Sequence, residues 1–232
     1  MQAYVGTSGF SYKEWKGPFY PEKLPAKQML AFYAERLNTV EINNTFYRLP
    51  KPDVVAAWGE QVPADFRFVI KASQRITHKA RLADAGDTVE YLWQTVQVLG
   101  DRLGPILFQL PPFFRCDVER LRDFVAALPD GMRAAFEFRH ESWHDDAVRD
   151  VLRGANAAWC TADQGDADAP SAASTADWGY LRLRAADYSD AELDAWAAAI
   201  RSNEWRECWV FFKHEDEGHA PVLAERLRQR LA

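Results

Sequence analysis

Eight short apolar runs alternate with longer amphipathic stretches along this chain, and that alternation constrains the fold more than any other feature of the sequence. The runs are Ala3 to Val5, Thr39 to Asn43, Phe66 to Lys71, Ile106 to Leu110, Arg133 to Phe138, Ala157 to Thr161, Gly179 to Arg184 and Cys208 to Phe212. Between them, helical spacing links Val89, Leu92, Val96, Leu99 and Leu103, then Val118, Leu121, Val125 and Leu128, and finally Leu223, Leu227 and Leu231. A helix lying on a sheet needs one apolar stripe, and a strand covered on both faces needs a short apolar run, so the pattern is that of repeated βα units. Ser189-Asp190-Ala191-Glu192 reads as a capping box at one helix start, and Asp87 with Glu90 as another. The stretch from Ala162 to Asp177 carries no stripe, so the sixth helix is expected to be short or irregular.

Eight such units in 232 residues, with no break in composition, predict an α/β fold: a single (β/α)8 TIM-type barrel domain over residues 1–232, a fold that typically takes about 250 residues. An open, doubly wound sheet is the weaker alternative. Gly6-Thr7-Ser8-Gly9 has glycines after the first run but lacks the G-x-G-x-x-G spacing that would cradle a dinucleotide.

Composition removes several classes of function. With 28 Lys and Arg against 34 Asp and Glu, the net charge of -6 is not that of a protein that wraps polyanions. A chain that is 48% hydrophobic and 27% charged has enough apolar surface to fold. Three scattered cysteines, Cys116, Cys160 and Cys208, do not form a disulfide framework and point to a reducing compartment. No basic segment leads into an apolar one at Met1, and no window nears the roughly 18 apolar residues of a membrane span. A cytoplasmic protein without membrane contact is expected.

In a barrel, alternate residues of each strand point inward, and chemistry gathers where strands end at the C-terminal face. With Val40 and Ile42 outward, Glu41 and Asn43 point in. With Phe66, Phe68 and Ile70 outward, Lys71 points in. The same phase turns Gln109, Glu137, Arg139, Arg182, Arg184 and Lys213 toward the axis. Buried charges without partners cost several kcal/mol each, in order of magnitude, so this convergence marks either a ligand site or a layer of mutually neutralising ion pairs. The surplus of inward cations favours an anionic or strongly hydrogen-bonding ligand, such as a phosphate ester, carboxylate or sugar.

These residues also carry a resemblance that runs from end to end. Gly6-Thr7-Ser8-Gly9-Phe10-Ser11-Tyr12 with Trp15, Gly17, Phe19, Tyr20 and Pro21 form one block. Val40-Glu41-Ile42-Asn43 with Thr45, Phe46, Tyr47, Arg48 and Pro50 form the next. Phe68, Lys71, Ile76-Thr77-His78, Leu107-Phe108-Gln109-Leu110-Pro111-Pro112, Glu137-Phe138-Arg139-His140, Ser142-Trp143, Asp163 and Tyr180-Leu181-Arg182-Leu183 follow. Together they resemble the YecE-like family, domain of unknown function 72 (DUF72). The resemblance implies a TIM-type barrel and supplies no reaction. This chain departs from the family pattern in two places: Arg184-Ala185 stands where Arg-x-His-Gly is usual, and Lys213-His214-Glu215 replaces Asn-Asn-Asp.

The leading expectation is a hydrolase or lyase acting on a phosphate- or sugar-containing substrate. Glu41 and Glu137 are the acid/base candidates, with His78 and His140 to move protons or orient ligand. Lys71, Arg139, Arg182 and Lys213 would clamp an anion, Asn43, Gln109 and Asp163 would hydrogen-bond it, and Tyr12, Trp15, Tyr47 and Trp143 would stack on it. Nothing calls for a cofactor. The less favoured alternative is a binding module for a small ligand or single-stranded nucleic acid, reading it with the same cations and aromatics. A third is a metal-dependent barrel of endonuclease or isomerase type built on His78, His140, His144, His214 and His219.

Four local features are weaker than they look. His140-Glu141-Ser142-Trp143-His144 spells H-E-x-x-H, but it follows a strand directly and so does not lie on one helical face as a zinc protease requires. Glu41 and Glu137, from strands on opposite sides of a barrel, would suit only the wide spacing of an inverting glycosidase. Lys71 could form a Schiff base, but an adjacent acid is expected to hold it protonated. Cys160 reads as a small buried hydrophobe.

Overall fold

The computed structural model describes residues 1–163, 165, 172–213 and 218–232. Its eight strands are β1 (Gln2–Ser8), β2 (Thr39–Ile42), β3 (Arg67–Lys71), β4 (Leu103–Gln109), β5 (Ala134–Glu137), β6 (Ala158–Asp163), β7 (Trp178–Leu183) and β8 (Glu207–Phe212). All neighbours are parallel, and the sheet closes in sequence order, with β8 paired back to β1. This is the (β/α)8 barrel expected from the periodicity.

Helices α1 (Met29–Ala34), α2 (Asn44–Tyr47), α3 (Pro52–Gly59), α4 (Gly86–Val96), α5 (Val118–Ala126), α6 (Asp146–Gly154), α7 (Asp190–Arg201) and α8 (His219–Leu231) occupy the connections. The described residues between β6 and β7, namely 165 and 172–177, contain no helix, and 164 and 166–171 lie outside the described residues. The apolar stripes face the strands: Val89, Leu92 and Val96 of α4, Leu121 of α5, and Leu223, Leu227 and Leu231 of α8 are all buried.

Two local expectations are corrected. The capping box at Ser189 forms, with Glu192 bonding back to the Ser189 amide. Asp87, however, caps nothing. Arg81, Leu82 and Asp84 all take positive φ, and the turn they make starts α4 at Gly86, so Asp87 falls inside the first turn. Leu103 extends no helix either. Gly100, with φ of 54°, breaks the helical path after Leu99, and Leu103 opens β4 instead.

The barrel interior is filled in layers. At the N-terminal end Tyr4 stacks on Trp209 with centroids 4.1 Å apart, and the Arg133 guanidinium covers the Trp178 ring at 4.5 Å while pairing with Glu207. Gly104 makes this floor sterically feasible, since a Cβ there would meet the Trp209 ring at 2.9 Å. Above lie Val69, Leu107, Ala135, Cys160, Tyr180 and Phe211, all buried. Most of the aromatic residues, 13% of the chain, serve this interior and the strand–helix layer.

One seam of the barrel is closed by side chains as well as by strand pairing. In the recorded register β1 meets β2 at Thr7–Val40 and Ser8–Glu41, near their C-terminal ends. Below that, Asn38 donates to Ala3 O (2.9 Å) and accepts from Val5 N (3.1 Å). The Tyr33 hydroxyl accepts from Thr7 N (2.9 Å) and donates to Thr39 O (2.9 Å), both buried. Tyr33→Phe keeps the ring but leaves a buried amide and carbonyl without that partner. The expected loss is about 1–3 kcal/mol, measured as a lowered urea midpoint with the slope unchanged.

Candidate functional site at the C-terminal mouth of the barrel

The inward phase read from the sequence places nine polar side chains at one end of the barrel, and the structure joins the deepest of them through a single guanidinium. Arg182, 1% exposed, donates from Nη1 to Glu137 Oε2 (2.7 Å) and from Nη2 to Glu41 Oε1 (2.8 Å). Glu41 also accepts from Ser8 Oγ (2.7 Å) and Tyr180 OH (2.6 Å). Glu137 accepts further bonds from Gln109 Nε2 (2.8 Å), Arg139 Nε (3.1 Å) and Arg184 Nη2 (2.6 Å). Every oxygen of the two carboxylates is therefore engaged.

The electrostatics follow from that wiring. Burial is the largest influence on Glu41 and raises its pKa, but the Arg182 charge, the Tyr180 and Ser8 hydrogen bonds and the Lys71 charge together outweigh it, and the pKa ends lowered. At Glu137 burial is outweighed by Arg182, Arg184 and Arg139 together, which hold the carboxyl well below the usual range. Both glutamates stay ionised at neutral pH, so neither has a proton to give. That argues against the acid role expected of them, and the guanidinium between the two carboxylates occupies the space where an inverting glycosidase would need a scissile bond and water.

Lys71 is the unexpected member. It is half-buried, its ammonium lies over the Phe46 ring at 4.2 Å, and it forms no salt bridge among the described residues. The acids thought to hold it protonated are committed to arginines. Burial, followed by repulsion from Arg182, outweighs the pull of Glu41 and Glu137 and brings its pKa down to about 8. Thr45 fixes Phe46 in place by donating from α2 to Ile42 O (3.0 Å) and Lys71 O (2.6 Å).

A π-type turn (Arg75–Lys79) follows β3, buries Ile76 and Thr77, and carries His78 to the same ring, edge-on at 4.9 Å from Phe46. Thr77 Oγ1 lies 2.9 Å from His78 Nδ1. Burial, then the Lys71 and Arg139 charges, lower the His78 pKa and favour its neutral form. A cavity of about 260 Å³ opens here, lined by Asn43, Phe46, Tyr47, Lys71, His78 and Gln109 on one side and by Arg139, Arg182 and Lys213 on the other. A larger cavity of about 710 Å³ lies beyond Arg139, over β5 and β6, with His140, His144, Arg149 and Arg184 in its wall.

Other expected site residues do not reach the mouth. Trp15 and Trp143 are fully buried, so neither offers a ring face to ligand. Trp143 donates Nε1–H to Phe114 O (2.7 Å) and stacks on Phe138, tying together the loops after β4 and β5. Trp15 packs with Tyr12, Phe19 and Tyr20 in the plug after β1, and the Tyr12 hydroxyl donates to Ser8 O (2.7 Å). Asp163 is buried and accepts from Tyr188 OH (2.5 Å). Tyr47 alone of the four aromatics is exposed, at 74%.

His140 caps a short 3-10 turn, Glu141–Trp143, by accepting from Ser142 N (3.1 Å), so the H-E-x-x-H string does not lie on an α-helix. Cys160 is buried and its thiol pKa is pushed well up, first by burial. Of the loop departures, Lys213 lines the smaller cavity, while His214 and Glu215 lie outside the described residues. The sequence reading missed Ser8, Phe46 and Tyr180 as members of the site. Tyr180 could have been found, since it stands two residues before Arg182 on the inward phase of β7.

Comparison with known proteins extends the match over the whole fold. A family model described as "Protein of unknown function DUF72" covers residues 4–232. UPF0759 protein YecE of Escherichia coli K12 is 35% identical over 138 residues, 59% of this chain and 48% of that protein. UPF0759 protein YunF of Bacillus subtilis is 28% identical over 149 residues, 60% of this chain and 51% of that protein. The chain thus aligns with about half the length of these curated relatives. A crystal structure of a DUF72 family protein from Thermotoga maritima superposes with a TM-score of 0.88 at 27% identity, covering 100% of this chain and 99% of that one. SacUVDE shares the fold at a TM-score of 0.60 and 9% identity, covering 100% of this chain and 99% of that one.

The Arg182 network sets a pH dependence whose sign can be worked out. Both glutamates have lowered pKa in the folded state, so the unfolded chain binds more protons in acid. Their contribution to stability is present above the unfolded glutamate pKa of about 4.3 and is lost as pH falls through the folded values. Arg182→Met strands the buried Glu41 carboxylate without an ion-pair partner, takes one of three arginines from Glu137, and should cost about 3–5 kcal/mol at pH 7. Denaturation across pH should show the gap between variant and wild type narrowing toward about pH 4 as the stranded Glu41 takes up a proton.

Proposed function

Because this chain belongs to the DUF72 family, whose description assigns no reaction, we propose on the chemistry of the site that it binds a small phosphate- or carboxylate-bearing molecule in the Lys71 cavity. We read it as a hydrolase or lyase. The observation that carries the anion reading is charge. Both interior glutamates are neutralised by Arg182, Arg184 and Arg139. Lys71 faces the 260 Å³ cavity with no carboxylate paired to it among the described residues, and Lys213 and the partly exposed Arg139 line the same cavity. An anion entering there meets donors already oriented, and charge-assisted bonds to it are the strong kind.

The volume favours a ligand smaller than drug-sized molecules, whose pockets run to roughly 300–1,000 Å³. In this reading Lys71 and neutral His78 handle protons while Arg139 and Lys213 hold the anionic group, and the Arg182–Glu41–Glu137 layer beneath is a rigid support. The alternative of a single-stranded nucleic-acid module is weakened by the burial of Trp15 and Trp143, which leaves Tyr47 as the one exposed ring of the four expected to stack on successive bases.

Sulfate, whose charge does not change between pH 7 and 10, is the direct probe. Calorimetric titration should show binding that weakens as pH rises through about 8 and Lys71 loses its proton. Lys71→Met should bind about tenfold more weakly at pH 7, equivalent to about 1.4 kcal/mol, and lose the pH dependence around 8. Sulfate affinity indifferent both to pH across this range and to the substitution would remove the anion reading.

A further inference from the structure

We infer that Lys71 is an imine-forming nucleophile, and that the ligand of this cavity is a small aldehyde or ketone carrying an anionic group. The inference rests on the anion reading above and deepens it. Four features of the structure converge on it.

The Lys71 amine is held against an aromatic face rather than an acid. Its ammonium sits 4.2 Å from the Phe46 centroid, and no carboxylate pairs with it among the described residues. A lysine whose task was to neutralise Glu41 or Glu137 would contact them, yet their oxygens are taken by Ser8, Tyr180, Gln109 and three arginines. Lys71 is thus surplus to the ion-pair layer.

Its neighbours favour the free amine. Desolvation and a nearby fixed cation are two established ways to activate a lysine nucleophile, and here burial and Arg182 supply both. At pH 7 a lysine of pKa about 8 is about one-tenth free amine, whereas an ordinary one near 10.4 is below about one part in a thousand.

Lys71 also borders open space. Lys71 lines the 260 Å³ cavity together with Asn43 and Gln109, which can hydrogen-bond hydroxyl groups, and with Arg139 and Lys213 to hold the anionic group. His78 meets the same Phe46 ring and is favoured neutral, leaving a proton acceptor in the same cavity.

The step balances without any oxidant or reductant. The Lys71 nitrogen lone pair forms a bond to the carbonyl carbon, and the C=O π pair moves to oxygen, which is protonated to give a carbinolamine. The hydroxyl then leaves as water, and the nitrogen pair closes the C=N bond. In sum, a carbonyl and a lysine ammonium give a protonated imine and one water, with two of the three ammonium hydrogens leaving in that water. The iminium withdraws electrons from the adjacent carbon, so His78 can remove a proton from that carbon or from a hydroxyl one position further on. This is the chemistry of an isomerase or of a lyase that breaks a carbon–carbon bond.

Glycolaldehyde phosphate, trapped with sodium cyanoborohydride and mapped by peptide mass spectrometry, tests the inference on the whole chain. Expected is a reduced adduct at Lys71 that forms at least about ten times faster than at exposed Lys13, Lys23, Lys27, Lys51 or Lys79. It should be slowed by sulfate, faster than with plain glycolaldehyde, and absent in Lys71→Met. Lys71 unlabelled, or labelled no faster than the exposed lysines, overturns the imine even if sulfate binds. Fast labelling that ignores both sulfate and the phosphate group would instead uphold the imine and overturn the anion site.

Discussion

The guanidinium of Arg182 is the interaction on which this barrel's upper half depends. It lies in the interior with a glutamate on each side, Glu41 from β2 and Glu137 from β5, and it comes itself from β7. Three strands that are not neighbours in the closed sheet are thereby tied through one planar group. Ions removed from water gain only if their geometry is good and their remaining lone pairs are filled. Ser8, Tyr180, Gln109, Arg139 and Arg184 do that filling. The outcome is a rigid polar layer resting on the apolar one formed by Val69, Leu107, Cys160 and Phe211.

That layer changes what its neighbours can do. Two ionised glutamates with every oxygen bonded are poor acids and poor bases, although a carboxylate pair in a barrel is the first thing a reader of the sequence would assign to catalysis. By taking up both negative charges, the arginines leave Lys71 with cations on one side and an aromatic ring on the other. Under the proposed function the chemistry lies one layer further out than the glutamates, at Lys71 and His78. Both sit where β3 and its π-type turn deliver them, beside a cavity small enough to select a small ligand.

Much of this was legible in the sequence, and for definable reasons. Strand period is two, so once Val40, Ile42, Phe136, Phe138, Leu181 and Leu183 are read as outward, Glu41, Glu137 and Arg182 must point in. The same rule would have supplied Tyr180 and Ser8. What it does not supply is depth. Trp15 and Trp143 follow strands in loops, where exposure depends on how the loops after β1, β4 and β5 fold over one another, and both rings turned out to be covered. The cap expected at Asp87 failed for a comparable reason, because three positive-φ residues upstream shifted the start of α4.

By itself, the sequence determined the barrel, its strand order and the inward set of polar side chains, because periodicity and chain connectivity are local properties that survive without coordinates. Which of those side chains neutralise one another is not local. Glu41 and Arg182 are 141 residues apart in the chain, and Glu137 and Arg182 are 45 apart. Only closure of the sheet brings them within hydrogen-bond distance. The tertiary structure therefore decided that both glutamates pair with arginines and that Lys71 takes no part in those pairs, since charge pairing depends on distances through the barrel axis that no spacing along the chain encodes.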